Sequence, residues 1–487
     1  VKDSSTQQAA PPVAAKEQPS AQTLSTRQIT GIIGALALAA FVMILNETVL
    51  TVALPAIMEN FLISADAGQW LTTGFLLTMS IVIPMTGYLL QRFTQRSLFV
   101  VALCSFIVGL VLAAVAPNFA ILLIARVIQA IGTAIVLPLL MTSTLSLVPV
   151  KNRGMVMGLN SIVISVGPAI GPTVSGIIVS SLSWRWIFGI MTPLALLILV
   201  AGIIFIRVPS SARKLPVDIF SVVLSAFAFG GLVYAISTFG AAAEQPTAPA
   251  VSGGIGLVAL ALFIVRQLRL APTGRELLNL KPFQNRTFTL SVVLIMIAMG
   301  TLLGTVVIIP IVLHNGAGLS TMTIGFMLLP GGLAQVIAAP IFGRVFDRFG
   351  PRPVLIPGAI LLASGQWLFS TITLGTPLWL VVAFHVVFSV GLALLMTGLL
   401  SSALSTVPLK LYGHGSAIFN TGQQLGGAIG TTIFVTVLSG IAATEAQGGA
   451  PVDAGLFAGA HAAFLIGAIA ATIGIVCAPF ITGAKRP

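Results

Sequence analysis

The sequence predicts an all-α polytopic membrane protein, and three observations carry that prediction. Of its 487 residues, 57% are hydrophobic and 7% are charged, whereas soluble domains carry roughly 25% Asp, Glu, Lys and Arg. The mean hydropathy of +1.09 replaces the prior of about three soluble domains of ~150 residues with one membrane unit. Apolar runs long enough to cross ~30 Å of hydrocarbon as helices recur along the whole chain, without the alternation of barrel strands.

The elements follow in order. Residues 1–28 are rich in Ala, Gln, Pro and Ser and predict a disordered tail. The apolar stretch after them is too long for a signal-peptide core and lacks a small-residue cleavage site, so it reads as a retained first span. Apolar segments then cover 31–57, 70–90, 98–116, 119–147, 155–182, 186–206 and 217–239, followed by 251–270, 288–313, 324–346, 354–374, 378–407, 417–441 and 458–481. The count is fourteen transmembrane helices. An even count places both termini on one side. Of the 23 Lys and Arg residues, all but Arg126 and Arg185 then fall in the tails and loops of that side. Glu59, Asp66, Glu244, Glu445 and Asp453 fall opposite. By the positive-inside rule the basic side is cytoplasmic, which predicts a multi-pass protein of a bacterial-type cell membrane with both termini inside. The net charge of +12 is thereby spent on topology and membrane lipids, and no nucleic-acid partner is implied.

A repeat divides the chain. The segment PMTGYLLQRFTQR at 84–96 returns as PIFGRVFDRFGPR at 340–352, matching Pro84 to Pro340, Gly87 to Gly343, Arg92 to Arg348, Phe93 to Phe349 and Arg96 to Arg352. It pairs the second span with the tenth. The layout is thus a tail (1–28), a six-helix bundle (29–207), two inserted helices with linkers (208–285), a second six-helix bundle (286–481) and a short tail (482–487). Related halves facing one another across a central cavity are a transporter arrangement.

Glu47 is the only acidic residue deep in a span and Arg126 the only basic one. An ionised side chain at a helix centre costs about 2.5 to 3.5 kcal/mol on insertion scales, so such residues face a cavity or a partner and are functional by default. The two sit at comparable depths and pair either directly or through water. A static ion pair that only fixes helix packing is the competing reading. In the fifth span, Gly167, Gly171 and Ser175 follow at four-residue spacing, which lets a neighbouring backbone approach closely, while Pro168 and Pro172 invite kinks. Asn46, Asn160, Asn420, Gln423 and Gln424 either line a cavity or bond helix to helix. Trp70, Trp184 and Trp186 read as interfacial anchors, Trp70 also as a rim of the outer vestibule. Asp218 reads as a helix cap and His385 as a hydrogen-bonded packing histidine. His314, His414 and His461 read as peripheral. Cys104 and Cys477 lie in apolar runs and give neither a disulfide framework nor a metal cluster. No phosphate-binding loop, metal spacing or catalytic domain is visible, so the chain reads as a non-enzyme without cofactors.

These residues resemble the major facilitator superfamily, and within it the fourteen-helix drug:proton antiporters of the EmrB/QacA type, most closely the lincomycin-efflux-like branch. The resemblance covers nearly the whole chain after the tail. The superfamily's loop signature is similar to Gly87, Gln91, Arg92 and Arg96 and, more fully, to Gly343, Asp347, Arg348, Gly350 and Arg352. Its antiporter signature resembles Gly158, Gly167, Gly171, Pro172, Ser175 and Gly176, and its fourth-helix signature resembles Arg126, Gln129 and Gly132. A late segment, GSAIFNTGQQLGGAIGTTIF, is similar to the same branch. The chain departs where Gln91 replaces the usual loop Asp, and where Asn46 and Glu47 stand in place of an Asp one position before Glu47.

The resemblance implies a major facilitator fold and a proton-coupled efflux antiporter. Such a protein would export amphiphilic, often cationic drugs as a monomer, with Glu47 and Arg126 coupling protons. Asn46, Glu47, Trp70, Gln129, Asn160, Asn420, Gln423 and Gln424 would bind substrate, and the two loop motifs would latch the inner gate. The sequence leaves open export of an endogenous metabolite or lipid, proton-coupled import, and a non-transporting membrane sensor or scaffold.

Overall fold

A computed structural model describes residues 25–206, 218–238, 247–273, 276–408 and 411–482. The tail before residue 25, most of the linkers around the inserted pair and the last five residues lie outside these. Every regular element among the described residues is helical. Fourteen are long: α1 (Thr26–Phe61), α2 (Trp70–Arg92), α3 (Gln95–Ala114), α4 (Phe119–Leu147), α5 (Val150–Ser181), α6 (Arg185–Phe205), α7 (Ile219–Ser237), α8 (Thr247–Leu270), α9 (Arg286–Ile311), α10 (Thr321–Phe349), α11 (Arg352–Phe369), α12 (Leu378–Ser405), α13 (Tyr412–Gln447) and α14 (Val452–Cys477). Eleven are long and apolar enough to cross a membrane. The other three long helices are α2, α5 and α11.

Helix starts are set by side-chain caps. Ser25, Thr94, Asn118, Asn285 and Ser320 each accept a backbone N–H from the first turn that follows, satisfying donors with no partner inside the helix. At α1 the cap is a reciprocal box with Gln28. The helix therefore begins at Thr26, inside the stretch assigned to a disordered tail (1–28). At the other end of α10, Gly350 adopts φ +85° and returns its N–H to Phe346. That left-handed turn is open to glycine at little cost, and it joins α10 directly to α11.

The packing repeats itself. In the first half α1 packs on α4, α5 and α6, α2 on α4, and α3 on α4 and α6. Shifted by eight helices, the same contacts recur: α9 on α12, α13 and α14, α10 on α12, and α11 on α12 and α14. The halves meet through α5 with α10, α2 with α13, and α1 with α9. Helices α1 and α9 form the spine, buried almost throughout. Outer helices instead turn large apolar residues outward, for example Val101 and Val108 of α3, Leu197 of α6 and Ile473 of α14, as lipid-facing surfaces do.

The inserted helices α7 and α8 pack tightly on each other, with Gly231 against the backbone of Ser252 and Gly256. Their shared apolar cluster, which includes Leu224, Phe229 and Phe263, rests on Leu77, Ile81 and Met85 of α2 and on Leu425 of α13. The pair thus straddles the α2–α13 seam. Its polar end is fastened. Arg266 of α8 pairs with Asp218 at 2.6 Å, and Gln267 bonds Ser221 at 2.7 Å and accepts the N–H groups of Leu277 and Leu278. Asp218 holds the N-cap position of α7 but makes no side-chain cap hydrogen bond. The sequence reading of a simple cap is corrected, because the carboxylate is engaged by Arg266 and Ser221. Arg266 beside it holds the Asp218 carboxyl below the usual carboxylate range.

Candidate transport site

The polar centre of the first half is built on α1, α2 and α4. Arg126 is wholly buried. Its Nε donates to the Leu71 carbonyl at 3.3 Å, its Nη1 donates to Gln129 Oε1 at 2.8 Å, and its guanidinium lies over the Phe75 ring at 4.2 Å. Asn46 Nδ2 donates to the same Gln129 oxygen at 2.9 Å. One amide oxygen thus joins α1 to α4. Arg126 Nη2, Asn46 Oδ1 and Gln129 Nε2 are enclosed without a protein partner.

Glu47, 8% exposed, follows Asn46 on α1. It feels the charge of Arg126 but forms no ion pair with it, since the only such pair among the described residues is Asp218–Arg266. The direct-pairing alternative is therefore absent in this conformation. Gln129 and Phe75 are what hold the guanidinium, leaving the carboxylate free to change partners.

The small residues of α5 fix where this segment of α1 lies. A Cβ at Gly167 would meet Ile44 Cγ2 at 2.9 Å, and one at Gly171 would meet Thr48 Cβ at 2.9 Å and its Oγ1 closer still. These contacts flank Asn46 and Glu47 on both sides. Further along, Gly176 packs against Thr321 and Met322 of α10, and Thr173 donates to the Gly325 carbonyl at 2.9 Å. Pro172 and Ser175 are buried in the same stretch. Helix α5 therefore touches the Glu47 segment with one part and the other half of the molecule with the next. A counterpart exists in α13, where GGAIGTTI (426–433) echoes GPAIGPTV (167–174). There Gly426 packs on Met296 and Gly430 on Gly300 of α9. Under this correspondence the places of Asn46 and Glu47 are taken in α9 by Ala298 and Met299. The acidic chemistry belongs to the first half alone.

Other candidates fall in different settings. Asn160 donates to Thr144 Oγ1 at 2.9 Å, bonding α5 to α4. Asn420 is half-buried and bonds Ser416 within its own helix, and Gln423 beside it is partly exposed. Gln424 reaches across the halves to Met79 Sδ at 3.5 Å. Trp70 is half-buried with its ring 6.2 Å from that of Tyr234 in α7. Trp184 is a correction: it is 4% exposed, packed between Phe61 and Phe188, because Arg185 stacks on its ring and bonds the Ala116 carbonyl. Trp186, by contrast, is exposed.

In the loop motifs, Arg92 lies 5.8 Å from the Phe93 ring, Arg348 lies 5.3 Å from Phe349, Arg96 is exposed, and Arg352 donates to the Pro479 carbonyl. Gly343 is half-buried in the last turns of α10. Side chains at Gly87, Gln91, Gly158 and Asp347 lie outside the described residues. His385 is buried as a packing histidine would be, but its Nδ1 has no hydrogen-bond partner, against the bonded reading.

The sequence reading missed the roles of Leu71, Phe75 and Gln69. Leu71 acts through a backbone carbonyl, which no side-chain pattern reveals. Gln69 is enclosed with both amide atoms unpartnered at the start of α2. Beside it, burial raises the carboxyl of Asp66 above the usual range against a hydrogen bond from Ser439 of α13. Together with Thr73–Thr432 at 3.3 Å and Thr173–Gly325, this contact lies toward the end of the molecule where α2 and α10 begin.

Two helical halves in one repeated packing scheme, with a buried acid and a buried guanidinium in one of them, define a multi-pass membrane transporter. The profile of the Major Facilitator Superfamily matches residues 36–431. The chain belongs to that superfamily. It is 39% identical over 459 residues to the lincomycin resistance protein LmrB of Listeria monocytogenes, covering 93% of this chain and 97% of the relative. It is 36% identical to the protein of the same name from Bacillus subtilis, covering 92% and 95%. Among solved structures, a D-xylose-proton symporter superposes with a TM-score of 0.66 at 17% identity, over 94% of this chain and 99% of that one, which shows the shared fold.

Proposed function

We propose that the protein is a proton-coupled exporter of amphiphilic, often cationic drugs, of the fourteen-helix antiporter type, working by alternating access as a monomer with both termini cytoplasmic. The observation that carries this reading is Glu47: a buried carboxylate inside a membrane helix, near Arg126 yet not paired with it. The names of the relatives support drugs as cargo.

In the cycle, the Glu47 carboxylate takes a proton from the outer side and forms its O–H bond. It gives that proton up inside when cargo enters, so that carboxylate and cationic cargo meet as the proton leaves. Arg126, held by Gln129, Leu71 and Phe75, keeps a fixed positive charge near the group. Asn46 and Gln129 set the geometry of α1 against α4 through their hydrogen bond. Each net charge that crosses exchanges about 2.3 kcal/mol per 100 mV with the membrane potential. Gly158, Gly167, Gly171, Pro172, Ser175 and Gly176 of α5 transmit the state of the Glu47 segment to α10. The motifs at Gly87, Gln91, Arg92, Arg96 and at Gly343, Asp347, Arg348, Arg352 latch the inner gate. Trp70, Asn160, Asn420, Gln423 and Gln424 contribute along the cargo path.

The test is reconstitution of wild type and Glu47→Gln in liposomes with an imposed pH gradient, recording cargo and proton flux together. Wild type should expel a fluorescent cation and release protons on its addition. The variant should bind without gradient-driven efflux, and efflux at wild-type rate by Glu47→Gln would overturn the reading.

A further inference from the structure

His385 stands outside the site built so far, and the repeat says what its position is. Helices α4 and α12 are matched by their glycines. Gly132 packs against Phe106 of α3 and Gly391 against Leu362 of α11, while Gly109 of α3 packs on Gln129 and Gly365 of α11 on Phe388. Under this correspondence Arg126 falls on His385, and each lies about two turns into its helix, ~10 Å from the same end of the molecule. The match of Pro84 to Pro340 places Phe75 on Gly331. The contact follows: Arg126 lies over the Phe75 ring, and the imidazole of His385 packs against Gly331, where a Cβ would meet Cε1 at 2.6 Å and Ser389 Oγ at 2.8 Å. Loss of the phenyl ring makes room for the imidazole.

His385 is 7% exposed. Its Nδ1 is fully enclosed without a partner, whereas its Nε2 is not among the enclosed unpartnered atoms. A proton on Nδ1 would be an orphan donor, so the tautomer with the proton on Nε2 is favoured. No carboxylate faces the ring. In α9, α11 and α12 the described residues hold none, the Asp347 position of α10 is four turns from Gly331, and the Glu445 side chain of α13 lies against Gly455 of α14. The ring is therefore arranged as a neutral donor.

We propose that His385 is a specificity-determining residue of the transport site, whose Nε2–H donates to an uncharged acceptor on the cargo: a hydroxyl, ether or carbonyl oxygen. The first half, through Glu47, reads the cation, and the second half, through His385, reads a neutral polar group. This rests on the exporter reading above. The test uses the reconstituted full chain with two cationic probes, lincomycin, which carries hydroxyl and amide acceptors, and tetraphenylphosphonium, which carries none. Loss of one neutral hydrogen bond predicts that His385→Ala raises KM for lincomycin about 3- to 10-fold and leaves KM for tetraphenylphosphonium within about twofold. His385→Gln, which keeps an N–H donor, should recover part of the loss with an unchanged Tm. Equal changes for both probes, or none, overturn the assignment while leaving the exporter reading intact. Wild-type vesicles that pump neither probe overturn both.

Discussion

The contact between Gly171 and Thr48 offers the most direct test of how α5 governs the site. A methyl at position 171 would lie 2.9 Å from Thr48 Cβ and closer to Oγ1, where ordinary contact needs ~3.5 to 4.0 Å. Either α5 backs away from α1 by ~1 Å, or Thr48 rotates and its single O–H leaves the carbonyls of Ile44, Leu45 and Gly167 that compete for it, all between 3.2 and 3.3 Å. Overpacking of this kind costs about 1 to 3 kcal/mol. Because Glu47 is the neighbour of Thr48, the displacement also moves the carboxylate, and a shift of ~1 Å at a reacting group can cost about 100-fold in rate. Gly171→Ala should therefore lower gradient-driven efflux from liposomes by about 10- to 100-fold and lower Tm. Adding Thr48→Ala removes the oxygen and should recover part of both. Transport within twofold of wild type with an unchanged Tm, or no recovery in the double variant, would refute the reasoning.

Arg126→Lys keeps the charge but cannot bond Leu71 and Gln129 together or present a planar face to Phe75; efflux should fall at least about 10-fold, measured in the same vesicles. Because Arg266 depresses the Asp218 pKa, the ionised carboxylate stabilises the fold above the ordinary Asp value of ~3.9, and this contribution is lost as pH falls through the lowered pKa. Asp218→Asn should accordingly lower Tm near neutral pH, with the difference from wild type shrinking toward zero in acid. Burial of Asp66 acts with the opposite sign: its contribution is present at low pH and lost as pH rises through the raised pKa. Asp66→Asn should raise Tm at neutral pH, and scanning calorimetry across pH separates the two cases. Gly231→Leu should drive α7 from α8, since a Cβ there would already meet the Ser252 carbonyl oxygen at 2.7 Å. The expected result is a lower Tm, read in detergent.

Much of the fold was legible because lipid imposes a coarse rule. Each span must be apolar for about twenty residues, so fourteen runs in the sequence became fourteen long helices, with errors at the ends. Those errors have local causes: the Ser25–Gln28 box extends α1 at its start, and α13 runs from Tyr412 to Gln447, beyond its apolar segment at 417–441. Glu47 and Arg126 were legible because charge inside hydrocarbon is rare. Their actual relation was not. It depends on an aromatic ring and a backbone carbonyl from α2, neither of which carries a pattern along the chain. The α13 counterpart of the α5 glycines was present in the letters, yet only their shared contacts with α1 and α9 give the match its meaning. That match then assigns His385 its place opposite Arg126.

The inserted pair makes the two flanks of the molecule unequal. Where α2 meets α13, a molecule dissolved in the bilayer encounters α7 and α8 standing in front of the joint, and near their polar end the chain between α8 and α9 is tied to α13 through Asn279 and His414. Where α5 meets α10 there is no such screen among the described residues. A transporter of twofold design has thereby acquired a front and a back, one joint between its halves covered by an inserted pair and the other left bare among the described residues.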